Sequence, residues 1–285
     1  MNARFVDLDA MVACASKLAP LPESLVRLAA LICTHQYEVS DAAKLVAYDP
    51  ILTLRLLRCA NSARFSSSEK VSTVEEAVLK LGAAEVLAVA VAPHARRLMR
   101  GESSAYGLRD GELWNHSVAT AVVTEVLSDH TPVRIPPETF TAALLHDVGK
   151  MVMNEFLDPE ILEWFDRCRL EGSMNLLQAE REVLDVHHGE VGGIVAQRWR
   201  LPETIVRGII YHHTPAECGD LICHAVAFSN EIARIVQERS SGQGFGTGLS
   251  SASLEVFQID ADNLELLVSD CRARFEEVSG RYNVQ

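Results

Sequence analysis

The chain has 285 residues, 48% of them hydrophobic and 23% charged, and 26 Lys+Arg against 39 Asp+Glu give a net charge of −13. This composition excludes extended disorder, because there is enough apolar surface to offset the entropy of ordering the chain. The charge excludes a non-specific nucleic-acid binder, since phosphates are repelled.

In chain order, the start lacks the basic region and long apolar run of an export signal. Leu21-Pro22 opens a helix over Ser24–Ile32, proline being suited to a first turn. Ser40-Asp41 is expected to cap a helix through Val46, which Asp49-Pro50 ends. Ile51–Ala60 places Leu52, Leu56 and Leu57 on one side, and Thr73 with Glu76 forms a capping box for Val74–Leu81, closed by Gly82. A further helix covers Ala83–Leu98; its apolar stretch Val86–Pro93 is too short to span a bilayer. Residues 1–105 carry 12 basic and 11 acidic side chains, whereas 106–285 carry 14 and 28. The acidic excess therefore belongs to the second part, and turn-forming Gly101–Gly107 marks a boundary at about residue 105.

Helical periodicity continues over about 111–128, 138–156, 159–170, 174–186, 189–199, 203–213 and 220–238. A Gly/Ser-rich connector over Ser240–Ser251 precedes a last helix near 261–278, and no run has convincing strand alternation. The expected fold is all-α, in three parts: 1–105, 106–239, and a linker plus C-terminal helix over 240–285. The seven cysteines contain no CxxC pair and read as reduced thiols, mostly core residues, with cytoplasmic location the default. Cys218, Cys223 and His224 form C-x4-C-H, which is no structural zinc spacing, so core packing is expected there.

Six histidines form a series that points to chemistry: His116, His146, His187, His188, His212 and His213. Imidazole is the commonest protein ligand for divalent transition metals, and Asp147 beside His146 adds a hard anionic one. The run Phe140–Leu145 is so apolar that His146 and Asp147 are expected to be buried, and a buried carboxylate needs a cation or several donors. His116 shares an apolar stripe with Ala119 and Val123, and His212 and His213 close the stripe of Ile205 and Ile209. His187 is expected to be the exposed member of its pair. Several helices thus converge imidazoles on one interior pocket, as metal sites in bundles require. For any one of them, a hydrogen-bonded core histidine is the competing reading.

The ordered motifs resemble a known family. They are Leu18–Pro22, Asp49–Leu57, Ala60–Phe65, Val71–Gly82, Leu113–Ser117, Ala143–Lys150, His188–Gly193, Trp199–Pro202 and Tyr211–Pro215. Together they resemble an HDOD domain, a bacterial signalling module related to the HD superfamily of metal-dependent phosphohydrolases. The resemblance implies an N-terminal helical subdomain packed on an HD-like helical core. It implies that His116, His146 and Asp147 occupy three ligand places of a catalytic HD centre, with Asn230 at the fourth, where catalytic relatives have an aspartate. It further implies that His188, His212 and His213 match the extra ligands of HD-GYP cyclic-dinucleotide phosphodiesterases. Lys150 matches a phosphate-holding lysine, catalytic together with Asp147 only if the site turns over. The segment after His213 lacks the Asp-Gly-x-Gly-Tyr-Pro signature.

The resulting expectation is a regulatory module that contacts signalling proteins and has a metal-binding or vestigial HD site. One or two Fe, Mn, Zn or Ni ions are its expected cofactors. The alternative is a metal-dependent phosphohydrolase or phosphodiesterase acting on a nucleotide or cyclic dinucleotide. A nucleotide ligand and a homodimer stay open; a membrane partner is not expected.

Overall fold

The computed structural model describes residues 8–282 apart from 48, 63–64, 66–69, 103–105, 158–159, 162, 165–166, 168–173, 238–248 and 250. The protein is all-α, with no strand among the described residues. In the first part, α1 (Leu8–Lys17), α2 (Glu23–Cys33), α3 (Val39–Val46), α4 (Pro50–Ala60), α5 (Val74–Leu81) and α6 (Ala83–Leu98) follow one another. The signals at the α4 and α5 starts act as expected. Asp49 accepts from the backbone N–H groups of Ile51 and Leu52, and Thr73 and Glu76 form a reciprocal capping box. At α3 the cap position is Glu38 rather than Ser40, with no side-chain cap. The helix α1 was not expected; its ten residues bury Met11 and Ala15, one turn apart.

The second part comprises α7 (Glu112–His130), α8 (Thr139–Leu145), α9 (Gly149–Asn154), α10 (Leu176–Leu184), α11 (His188–Arg198), α12 (Glu203–Ile210), α13 (Pro215–Cys218) and α14 (Leu221–Gln237). The chain ends in α15 (Ser251–Phe257) and α16 (Ala261–Tyr282). The expected helix over 159–170 and the Gly/Ser connector lie mostly outside the described residues. Helix α7 is central: α8, α14 and α16 pack around it, and its buried residues lie on every side, as suits a surrounded helix. α12 packs on α8, α11 and α14, and α9 packs on α11. The first part meets the second through α6 on α8, while α1 packs on α9 and α11.

One expected helix, 138–156, is broken at His146–Val148. Tight i−3 bonds replace the regular ladder there, Val148 N–H donating to Leu145 O and Lys150 N–H to Asp147 O, both at 3.0 Å. Gly149 explains the geometry, because a Cβ there would collide with the backbone carbonyl of His188 and the amide of Gly192. Only glycine lets α9 cross α11 this closely. That crossing brings the His146-Asp147 turn onto the start of α11, where His188 sits.

Candidate metal centre

The His146-Asp147 doublet is deeply buried, His146 at 0% and Asp147 at 1% exposure. Asp147 faces two groups of imidazoles, one on each carboxylate oxygen. Its Oδ2 lies 3.4 Å from His146 Nε2, 3.9 Å from His116 Nε2 and 2.6 Å from Lys150 Nζ. Its Oδ1 lies 3.2 Å from His188 Nε2 and 3.9 Å from His212 Nε2. His213 joins the second group, its Nε2 being 2.9 Å from His188 Nε2. Two sets of potential ligands therefore share one carboxylate: His116, His146 and Asp147, and His188, His212 and His213.

The outer nitrogens decide which way the lone pairs point. His146 Nδ1 donates to Ala143 O at 2.7 Å, and His212 Nδ1 donates to Ile209 O at 2.6 Å. His188 Nδ1 donates to the Glu180 carboxylate, the nearer oxygen at 2.7 Å, and the His188 backbone N–H binds the same group at 2.9 Å. A ring in its neutral form has then spent its one proton, so its Nε2 is an acceptor aimed inward. His188 Nε2 consequently faces the acceptors Asp147 Oδ1 at 3.2 Å and His212 Nε2 at 3.3 Å, with His213 Nε2 at 2.9 Å. One added proton on His188 can serve one of these contacts. His146 Nε2 and Asp147 Oδ1 have no hydrogen-bond partner. Such a convergence of bare acceptors in a buried site is costly without a cation among them. The residues present fit a divalent metal, and Glu180 behind His188 is the carboxylate support typical of a ligating histidine.

Electrostatics agree with this geometry. Burial pushes the Asp147 carboxyl up, but His146 in its protonated form and Lys150 outweigh it and hold the group well below the usual carboxylate range. Burial and the neighbouring His213 hold His212 far down, and His213 itself is held at about 2, first by burial and then by His188. His188 is raised because the Glu180 carboxylate overcomes the burial that opposes it. His212 and His213 are thus neutral, the state a metal ligand needs.

His116 and Asn230 behave differently from the rest. Asn230 on α14 reaches His116 Nε2 at 2.9 Å, and Gln237 reaches His116 Nδ1 at 2.9 Å. A neutral imidazole donates once, so one of these amides presents its NH2 to the ring. Burial holds His116 down to about 4, which keeps it neutral. Both nitrogens of His116 are therefore occupied by amides, whereas His146 Nε2 is bare.

Lys150 is buried, bonded to Asp147, and its ammonium lies 5.6 Å from the Tyr106 ring centre. A cavity of about 850 Å³ opens on His116, Asp147 and Lys150 and is also lined by Arg234, Arg272 and Phe275. His187, expected to be exposed, is 2% exposed; its ring accepts the Gly189 N–H and caps α11. Glu180, Tyr106 and Gln237 were not anticipated. Glu180 sits beside Arg181 and Glu182, a sequence that reads as a solvated face, and carries no signal of its burial.

The sequence matches the HDOD domain family over residues 18–215. The chain belongs to the HDOD family. Asn230, Gln237, Arg234 and Arg272 lie beyond the matched region. A curated Treponema pallidum (strain Nichols) protein, itself uncharacterised, is 28% identical over 221 residues. The match covers 76% of this chain but only 42% of that protein's length. An HDOD domain protein of unknown function from Geobacter sulfurreducens shares the fold with a TM-score of 0.71 at 23% identity, over 97% of this chain and 98% of that one. A candidate phosphohydrolase of Shewanella amazonensis SB2B aligns with a TM-score of 0.68 at 21% identity, covering 96% and 98%. A candidate signal-transduction protein of Marinobacter aquaeolei VT8 aligns with a TM-score of 0.72 at 19% identity, covering 99% of this chain and 62% of that one. Among the described residues, no helix is long and apolar enough to cross a membrane.

Proposed function

We propose that this HDOD protein is a signalling module that acts through contacts with other proteins and holds one or two divalent transition-metal ions (Fe, Mn, Zn or Ni) in its HD-like core. The observation that carries the metal is the convergence of His146, His188 and His212 Nε2 atoms on Asp147, with His146 Nε2 and Asp147 Oδ1 left without a hydrogen-bond partner. His146, Asp147, His188, His212 and His213 are the principal ligands in this reading, and His116 and Asn230 form an amide-locked pair at its edge. Asn230 supports a regulatory rather than hydrolytic role. Where a carboxylate would add charge, it supplies a neutral amide already bonded to His116. The division at about residue 105 belongs to the same proposal. In the first part Ile51, Leu54 and Leu79 are exposed apolar side chains, which supports protein contacts there.

A phosphohydrolase is the second reading, favoured by the 850 Å³ cavity that joins Asp147 and Lys150 to Arg234 and Arg272. A metal bound at such a site acts as a Lewis acid toward a phosphoester and lowers the pKa of bound water. The chain's own part in that reading is to hold phosphate oxygens with Lys150, Arg234 and Arg272, a nucleotide being the expected class of ligand.

Elemental analysis and turnover of an activated phosphodiester, measured on the same preparation, test the proposal. The expected result is stoichiometric metal with hydrolysis no faster than in a His146→Ala/Asp147→Ala variant. Metal-dependent hydrolysis that this variant abolishes would establish the second reading instead. Absence of metal above trace in protein purified without chelator would overturn the metal assignment.

A further inference from the structure

The pair Cys218 and Cys223 lies outside the metal centre, and the structure gives it a use that core packing does not explain. Cys218 is the last residue of α13, and Cys223 lies in the first turn of α14. Between them Gly219 adopts φ of 74°, a left-handed conformation that turns the chain back, and its N–H closes on Pro215 O at 3.0 Å. The reversal brings the two sulfurs to 3.0 Å, with Cys223 Sγ donating to Cys218 Sγ. That separation exceeds a disulfide bond by about 1 Å, a gap that small side-chain rotations close.

The surroundings differ for the two thiols. Cys218 is half-buried and Cys223 is fully buried. The Arg207 side chain lies near Cys218 and forms an ion pair with Asp220 at 2.8 Å, beside the more accessible sulfur. Cys218 is therefore the sulfur that an external disulfide can reach first, and Cys223 the one that can follow. Cys223 also contacts Arg207 O at 3.5 Å, but that carbonyl already accepts the Tyr211 N–H, so loss of the thiol proton orphans nothing.

We propose that Cys218 and Cys223 form a reversible disulfide, with Cys218 as the attacking thiol and Cys223 as the resolving one. A small disulfide such as glutathione disulfide is the oxidant. Cys218 loses its proton and attacks one sulfur of the oxidant, and the first glutathione leaves as a thiolate that takes up a proton. Cys223 then gives up its proton and attacks Cys218 Sγ, expelling the second glutathione. Two protein thiols are oxidised and one small disulfide is reduced to two thiols. The bond ties α13 to α14, immediately after the turn that carries His212 and His213. The assignment does not depend on metal at those histidines.

Peptide mapping of the full chain tests this. Tryptic cleavage after Arg207 and Arg234 isolates both residues in one peptide with no other cysteine. After incubation with glutathione disulfide and alkylation in denaturant, that peptide is expected two hydrogens lighter, without alkyl label, and restored by dithiothreitol. A Cys223→Ser variant is expected to stop as a glutathione adduct on Cys218, and a Cys218→Ser variant to leave Cys223 free of adduct. Full labelling of both residues in the treated wild-type protein would overturn the proposal. A wild-type protein that stops at the Cys218 adduct would equally overturn it.

Discussion

The two parts of this protein spend their burial on different things. Among the described residues, no buried polar or charged side chain lies before Ser117, whereas those between Ser117 and Asn230 include His146, Asp147, Lys150, Glu180, His188 and His212. The first part is an apolar core closed by local caps such as Thr73 and Asp49. The second part carries desolvated charge and facing acceptors, a cost that packing must offset. An apolar helical frame and the candidate site thus occupy adjacent stretches of one chain, joined where α6 packs on α8.

The largest expected effect lies in the second part. Asp147→Ala leaves Lys150 charged in a buried site and removes the carboxylate that both histidine groups face. Removal of one member of such a pair costs about 3–5 kcal/mol. Urea unfolding should show that loss together with loss of bound metal; retention of metal would break the contrast between the parts. In the first part, Leu56→Ala is expected to cost about 2–5 kcal/mol through lost burial and a cavity, with metal content unchanged. If metal content fell as well, the two parts would not be separable in this sense.

Acid should act mostly through the second part, although burial also holds His94 of the first part below its ordinary value. Burial holds His116 at about 4 against an ordinary 6.5, so the unfolded chain takes up a proton through that window that the folded chain refuses. Stability therefore falls as pH drops from about 6.5 to about 4, by roughly 3 kcal/mol from this residue. Unfolding of chelated wild-type protein and of a His116→Asn variant across that range checks it, the variant showing the shallower slope. The smallest expected effect is Thr73→Ala, which removes one cap and costs about 1 kcal/mol. Its signature is a lower unfolding midpoint with an unchanged metal content and pH slope.

Much of this contrast was legible in the sequence. Apolar spacing and the Thr73–Glu76 and Asp49-Pro50 signals outlined most helices because those signals act locally. The imidazole series pointed to the candidate site for the same reason, since His116, His212 and His213 lie on apolar stripes and His146 ends an apolar run. Long-range contacts were not legible. The break after Leu145 depends on the approach of Gly149 to α11, and periodicity continues on both sides of it. Glu180 is buried only because α10 delivers it to His188. His187 became a cap rather than an exposed side chain because Glu190 completes a capping box with it. The Cys218–Cys223 approach depends on the left-handed Gly219.

The central claim is that the buried acceptors around Asp147 hold a metal ion. Anomalous scattering from crystals of protein purified without chelator tests it most directly. The account predicts a peak at the Asp147 carboxylate, among His146, His188 and His212. A map without such a peak, in protein whose Lys150 still binds Asp147, would contradict it.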